Sequence, residues 1–95
     1  MSVNIRRLLI DALKPRETSI VELSRALCSS EGVEEVDIVV IEVDVKTETV
    51  KLTIRGSDVR FEDISRVLDE NSISIKGVDE VSVVKTKPPM KPPTK

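Results

Sequence analysis

Three features of the chain predict an α+β fold with element order β-α-β-β-α-β. They are a repeated pair of sequence blocks, strand-like alternation flanking two helical stripes, and a proline-dense tail that stands apart. The repeat carries most weight. Glu22-Leu23-Ser24-Arg25-Ala26-Leu27 matches Asp63-Ile64-Ser65-Arg66-Val67-Leu68, and Gly32-Val33-Glu34-Glu35-Val36 matches Gly77-Val78-Asp79-Glu80-Val81. Ile38-Val39 then corresponds to Val83-Val84. Two blocks in the same order, offset by 41 and 45 residues, read as a duplicated strand-helix-strand unit.

The first strand is predicted over residues 5–13, where Leu8, Ile10 and Ala12 alternate with Leu9, Asp11 and Leu13. Lys14-Pro15 ends it, because proline lacks the amide a ladder needs. Ser19 and Glu22 have capping-box spacing, and Ile20, Leu23 and Leu27 form a helical stripe with Gly32 as its stop. Residues 36–45 are β-branched and predict the second strand. A turn at Thr47-Glu48 would set Lys46 opposite Thr49, Val45 opposite Val50, Val43 opposite Leu52 and Ile41 opposite Ile54. Asp44 would then face Lys51, a favourable cross-strand charge pair.

The second helix is expected from about 61 to 71, with Phe61, Ile64 and Leu68 on one face. Its cap position falls on Arg60, which offers no acceptor, so Asp58 is the expected substitute. The last strand covers roughly 75–85, with Gly77 marking a bulge. Right-handed crossovers turn this split β-α-β plan into the ferredoxin-like arrangement: a four-stranded antiparallel sheet, order 4-1-3-2, with both helices on one face. Residues 1–85 make one domain. Residues 86–95 hold four of the five prolines and no acidic residue, so a Lys/Pro-rich disordered tail is expected.

Composition narrows the chemistry. The 95 residues contain 39% hydrophobic side chains but a single aromatic, Phe61, so the core is aliphatic and further burial by oligomerisation would help it. All seventeen acidic residues precede Lys85, against eleven basic ones there, which leaves an acidic body and a short basic tail. An acidic body argues against nucleic acid, whose binding rests on phosphate neutralisation. No signal peptide and no membrane-spanning apolar run is present, so the cytoplasm is the expected location and a membrane is not an expected partner.

Histidine is absent, which removes the Ser-His-Asp triad and the commonest zinc ligand. Three scattered glycines form no phosphate loop. Cys28 is alone and is expected as a small apolar side chain at the core margin. RNA-binding proteins of this topology stack bases on aromatic residues of the central strands, and this sheet has no ring to offer. No catalytic apparatus is recognisable.

Two helices cover one sheet face, so the other should be polar in a monomer. The predicted register instead places Leu9, Leu13, Ile38 and Val40 there, among Asp11, Glu42, Asp44, Lys51, Thr53 and Arg55. Such a mixed patch suits a subunit interface. Asp11, Glu42 and Asp44 are the candidate metal ligands, for a hard divalent cation such as calcium. Within one subunit Asp11 would stand about 9–10 Å from the other two, two strand spacings, so a neighbouring copy would have to complete the site.

The chain resembles the archaeal family known as domain of unknown function 211. The resemblance spans about residues 3–84 and rests on Ile5-Arg6-Arg7, Asp11-Ala12-Leu13-Lys14-Pro15, Ser19-Ile20-Val21-Glu22 and Glu31-Gly32-Val33. Glu42-Val43-Asp44, Thr47-Glu48-Thr49 and Asp79-Glu80-Val81 complete it. It implies a ferredoxin-like fold and a ring-like homo-oligomer with no assigned activity. Arg60 departs from it, standing where members carry an acid, and so does the Lys-Pro tail. The expected function is therefore a non-catalytic, self-assembling protein that binds a small ligand or metal ion between subunits. A small-molecule-sensing regulatory domain and a hydrolase using carboxylate, Lys and Arg groups are the alternatives.

Overall fold

Leu8, Ile10 and Ala12 alternate with less buried neighbours along the first strand, and all three are sealed from solvent, as are Val50, Leu52 and Ile54 on the strand beside it. That shared period of two builds one apolar sheet face, which the helices cover. In a computed structural model, which describes residues 2–86, the elements run β1 (Ser2–Pro15), α1 (Ile20–Cys28), β2 (Val33–Val43), β3 (Thr47–Val59), α2 (Phe61–Glu70) and β4 (Ser74–Thr86). The strands form one antiparallel sheet in the order β2-β3-β1-β4, the expected ferredoxin-like order read from the other edge. The tail expectation lies outside the described residues beyond Thr86, which itself closes β4 opposite Ser2.

The repeated blocks contribute the same two positions of each helix. α1 buries Leu23 and Leu27, and α2 buries Ile64 and Leu68. Each such side chain contributes roughly 1.5–3 kcal/mol by leaving water. The Ser19 hydroxyl caps α1 by accepting from the amides of Val21 and Glu22, at 3.1 and 3.3 Å. Glu22 pairs with Arg25 at 3.5 Å, one turn on along the helix.

The start of α2 has no side-chain cap. Asp58 does not substitute: its amide donates to the Gly32 carbonyl, and its carboxylate pairs with Arg60 at 3.7 Å. Glu62 and Asp63 in the first turn offset the uncapped amides electrostatically. The C-terminus is better made. Ser72 adopts φ 61°, the Ile73 amide donates to Leu68 O at 2.9 Å and the Ser72 amide donates to Asp69 O at 3.1 Å. These are the two bonds of a Schellman motif, with a serine in the position glycine prefers.

Five expectations need correction. The β2–β3 turn lies at Asp44–Thr47, where the Asp44 amide donates to Thr47 O at 2.8 Å, and Val43 faces Glu48 rather than Leu52. Ile41 is then an extra residue on β2, between Val40 facing Val50 and Glu42 facing Thr49. A one-residue bulge exchanges the faces of everything before it. Val36, Ile38 and Val40 consequently pair with Ile54, Leu52 and Val50 and pack against the core. Ile38 and Val40 are thus not on the bare face; Val39 is, opposite Lys51.

Asp44 is accordingly not opposite Lys51. Gly32 does not stop α1, which ends at Cys28 with Ser29 as its cap; it sits in the following turn at φ 87°. Cys28 is exposed rather than at the core margin, because Leu23 and Leu27 fill the buried stripe. Gly77 does accompany an irregularity: β4 slips register between the partners of Asp11 and Ala12.

Candidate functional site

Alternate residues of the two central strands project from the face without helices. Arg7, Leu9, Asp11 and Leu13 of β1 stand opposite Arg55, Thr53, Lys51 and Thr49 of β3. Glu35, Asp37 and Val39 extend these rows onto β2, and Ser82 and Glu80 extend them onto β4. The face is therefore laced with charge rather than simply apolar. Arg55 Nη1 lies 2.9 Å from Asp37 Oδ2 and 3.6 Å from Glu35 Oε2, and Arg7 pairs with Glu80.

Asp11 is the predicted ligand that the fold places most distinctively. Its Oδ1 atom is buried without a hydrogen-bond partner among the described residues, and Lys51 Nζ stands 3.9 Å away. Lys51 instead donates to Asp79 on β4. That hydrogen bond raises the Lys51 pKa above its ordinary 10.5, with the charges of Asp11 and Asp79 assisting and desolvation opposing.

Glu42 pairs with Thr49 two strands from β1, on the bare face, while Asp44 lies in the β2–β3 turn with Oδ1 accepting from the Val45 amide at 2.8 Å. Among the described residues no three His, Cys, Asp or Glu side chains converge on a metal position. Asp11, Glu42 and Asp44 are thus spread across the sheet rather than brought together.

Of the expected interface residues, Leu9 and Leu13 are half-buried on the bare face. The larger apolar exposure is at the sheet edges, which the alternation argument missed. On β2, Val39, Ile41 and Val43 are 55–56% exposed; on β4, Val78, Val81 and Val83 are 45–53% exposed. Val78 and Val81 face Ile10 and Leu8, so they lie on the core side of the sheet, where α2 does not reach over them. Both β2 and β4 are edge strands. Long edges with exposed aliphatics invite pairing with another chain.

A second feature escaped the sequence reading. Lys14 is 1% exposed, and its ammonium donates to Pro15 O at 2.8 Å, Thr18 O at 2.5 Å and Glu48 Oε1 at 2.8 Å. A buried charge needs such partners. They tie the β1–α1 turn to the start of β3. The signal was a lysine in phase with Leu8, Ile10 and Ala12, at the next inward position.

The model of the DUF211 family, described as uncharacterized ArCR, matches residues 6–87. This chain belongs to that family. It is also 38% identical over 77 residues to the uncharacterized protein MJ0319 of Methanocaldococcus jannaschii, covering 81% of this chain and 79% of that one. Asp11, Lys14 and both edge strands lie within the matched residues, and the family's description names no activity. Among the described residues no helix is long and apolar enough to cross a membrane.

Proposed function

We propose that this DUF211 protein is a non-catalytic assembly module, in which β4 of one copy docks on β2 of the next and a small ligand or divalent cation binds where subunits meet. The observation that carries it is the pair of apolar edges. Val78, Val81 and Val83 line one edge of the sheet and Val39, Ile41 and Val43 line the opposite one. Two different patches on opposite sides form a heterologous contact, which propagates from copy to copy and closes as a ring when the rotation allows.

The cation reading draws on Asp11, whose buried Oδ1 lacks a donor among the described residues, and on Glu42 on the same face. Asp44 stands at the turn beyond β2, beside the edge a neighbour would cover. Oxygen ligands of this type suit calcium. Calcium titration followed by thermal melting tests it: the transition should rise with calcium, and Asp11→Asn with Glu42→Gln should abolish the rise. A wild-type melt insensitive to millimolar calcium and magnesium would remove the cation from the proposal. Light scattering at tens of micromolar tests the assembly.

A further inference from the structure

One transverse row of the bare face sets two like charges against each other. Arg7 and Arg55 are direct partners on the central strands, with Glu35 beyond Arg55 and Ser82 beyond Arg7. Like charges directly opposed across a ladder are unfavourable. Each arginine turns outward to an acid on its flank, Arg7 to Glu80 and Arg55 to Asp37. Both use Nη1 for those ion pairs, and a guanidinium has five N–H donors.

A third guanidinium joins them. Arg6 is the extra residue of β1 relative to β4, at the point where β1 changes register, and it donates from Nε to Gly56 O at 2.9 Å. The bulge is what brings consecutive arginines to one place. Arg6, Arg7 and Arg55 line an open cleft of about 380 Å³ together with Glu34, Glu35 and Ser82. That volume is within the range of small-molecule sites.

Charge balance selects the ligand. The cleft presents three guanidiniums and two carboxylates, and the flanking Asp37 and Glu80 bring the carboxylates to four. A multiply charged anion would meet that acidic rim. A ligand with separated charges and no net charge uses both signs. Glu34 is open to such a ligand, since no ion pair among the described residues engages it.

We propose that this cleft binds a small zwitterion of the α-amino acid class, its carboxylate spanning Arg7 and Arg55 and its ammonium at Glu34. Paired arginines suit a carboxylate because their planar forks match its two oxygens. The site is complete within one subunit, so it stands or falls independently of assembly.

Calorimetric titration of the full chain with a panel of α-amino acids tests it, alongside the matching amines, the matching deaminated acids and inorganic phosphate. At least one amino acid should bind, more tightly than its amine or its acid. Arg55→Gln and Arg7→Gln should each weaken it about tenfold or more. Glu34→Gln should weaken the amino acid and leave the deaminated acid unchanged. Backbone amide shifts in the wild-type protein should move at Arg7, Arg55 and Glu34, a readout that needs no variant to fold. No amino acid bound at millimolar concentration, binding indifferent to Arg7 and Arg55, or phosphate bound in preference would each overturn the proposal.

Discussion

Lys14 Nζ and Glu48 Oε1 lie 2.8 Å apart across the β1–β3 ladder, with the lysine side chain 1% exposed and the glutamate 18%. The pair sits where the helix-facing side of the sheet reaches its end, and two carbonyls of the β1–α1 turn share the ammonium. Removing one member leaves the other charged and largely buried, which costs far more than the pair contributes.

Lys14→Met should therefore destabilise the fold by about 3 kcal/mol or more. The double variant Lys14→Met/Glu48→Leu should be more stable than Lys14→Met alone, since it removes the stranded carboxylate. Urea denaturation of the four proteins of the cycle measures both.

The backbone contact between the α1–β2 turn and β3 has no room for a side chain. A Cβ on Gly56 would fall on the carbonyl oxygen of Gly32, and one on Gly32 would fall on that of Asp58. Gly32 also holds φ 87°. Gly56→Ala should cost at least about 2 kcal/mol by overpacking against immobile backbone. Gly77→Ala, which meets nothing within 4 Å, should cost less than about 1 kcal/mol. Thermal melts of the two variants give the comparison.

Alkaline pH isolates the Lys51 hydrogen bond to Asp79. A lysine whose folded-state pKa exceeds the unfolded value contributes its full stabilisation below the unfolded value. It loses that contribution as pH rises past the folded one. Lys51 is raised above 10.5, so its share should begin to fall above that pH and be gone once pH passes the raised folded-state value. Tyrosine, which would titrate in the same range, is absent from the chain. Stability against urea should fall with pH in this range, and less steeply in Asp79→Asn. Identical slopes would show that the contact is absent in solution.

The order of elements, the helix stripes and the sheet order were legible because each rests on a local period. Leu23 and Leu27 recur as Ile64 and Leu68, and strict alternation marks β1 and β3. What was not legible was the facing of β2. Its residues Ile38-Val39-Val40-Ile41 are apolar without alternation, so either face could be inward. Only the bulge at Ile41 decides, and a bulge leaves no period to read. Asp44 did carry a usable signal, since aspartate favours the first position of a turn. The charged cleft was hidden for the same reason: Arg6 and Arg7 share it only because β1 changes register there.

The facing of β2 has a direct consequence for variants. Ile38→Lys places a charge against Leu52 and should cost several kcal/mol, on the order of 3 or more. Val39→Lys, at a position 55% exposed, should leave the melting temperature of the isolated subunit nearly unchanged. Circular dichroism melts under dissociating dilution separate the two.

Light scattering on single-edge variants addresses the assembly most directly. Wild-type protein at tens of micromolar should have a molar mass several times the chain's 10.5 kDa. Val81→Lys, which charges the β4 edge, and Ile41→Lys, which charges the β2 edge, should each be monomeric. Mixed together they should form dimers and nothing larger, because each retains one intact edge. A wild-type monomer, or variants that assemble as the wild type does, would contradict pairing of β4 on β2.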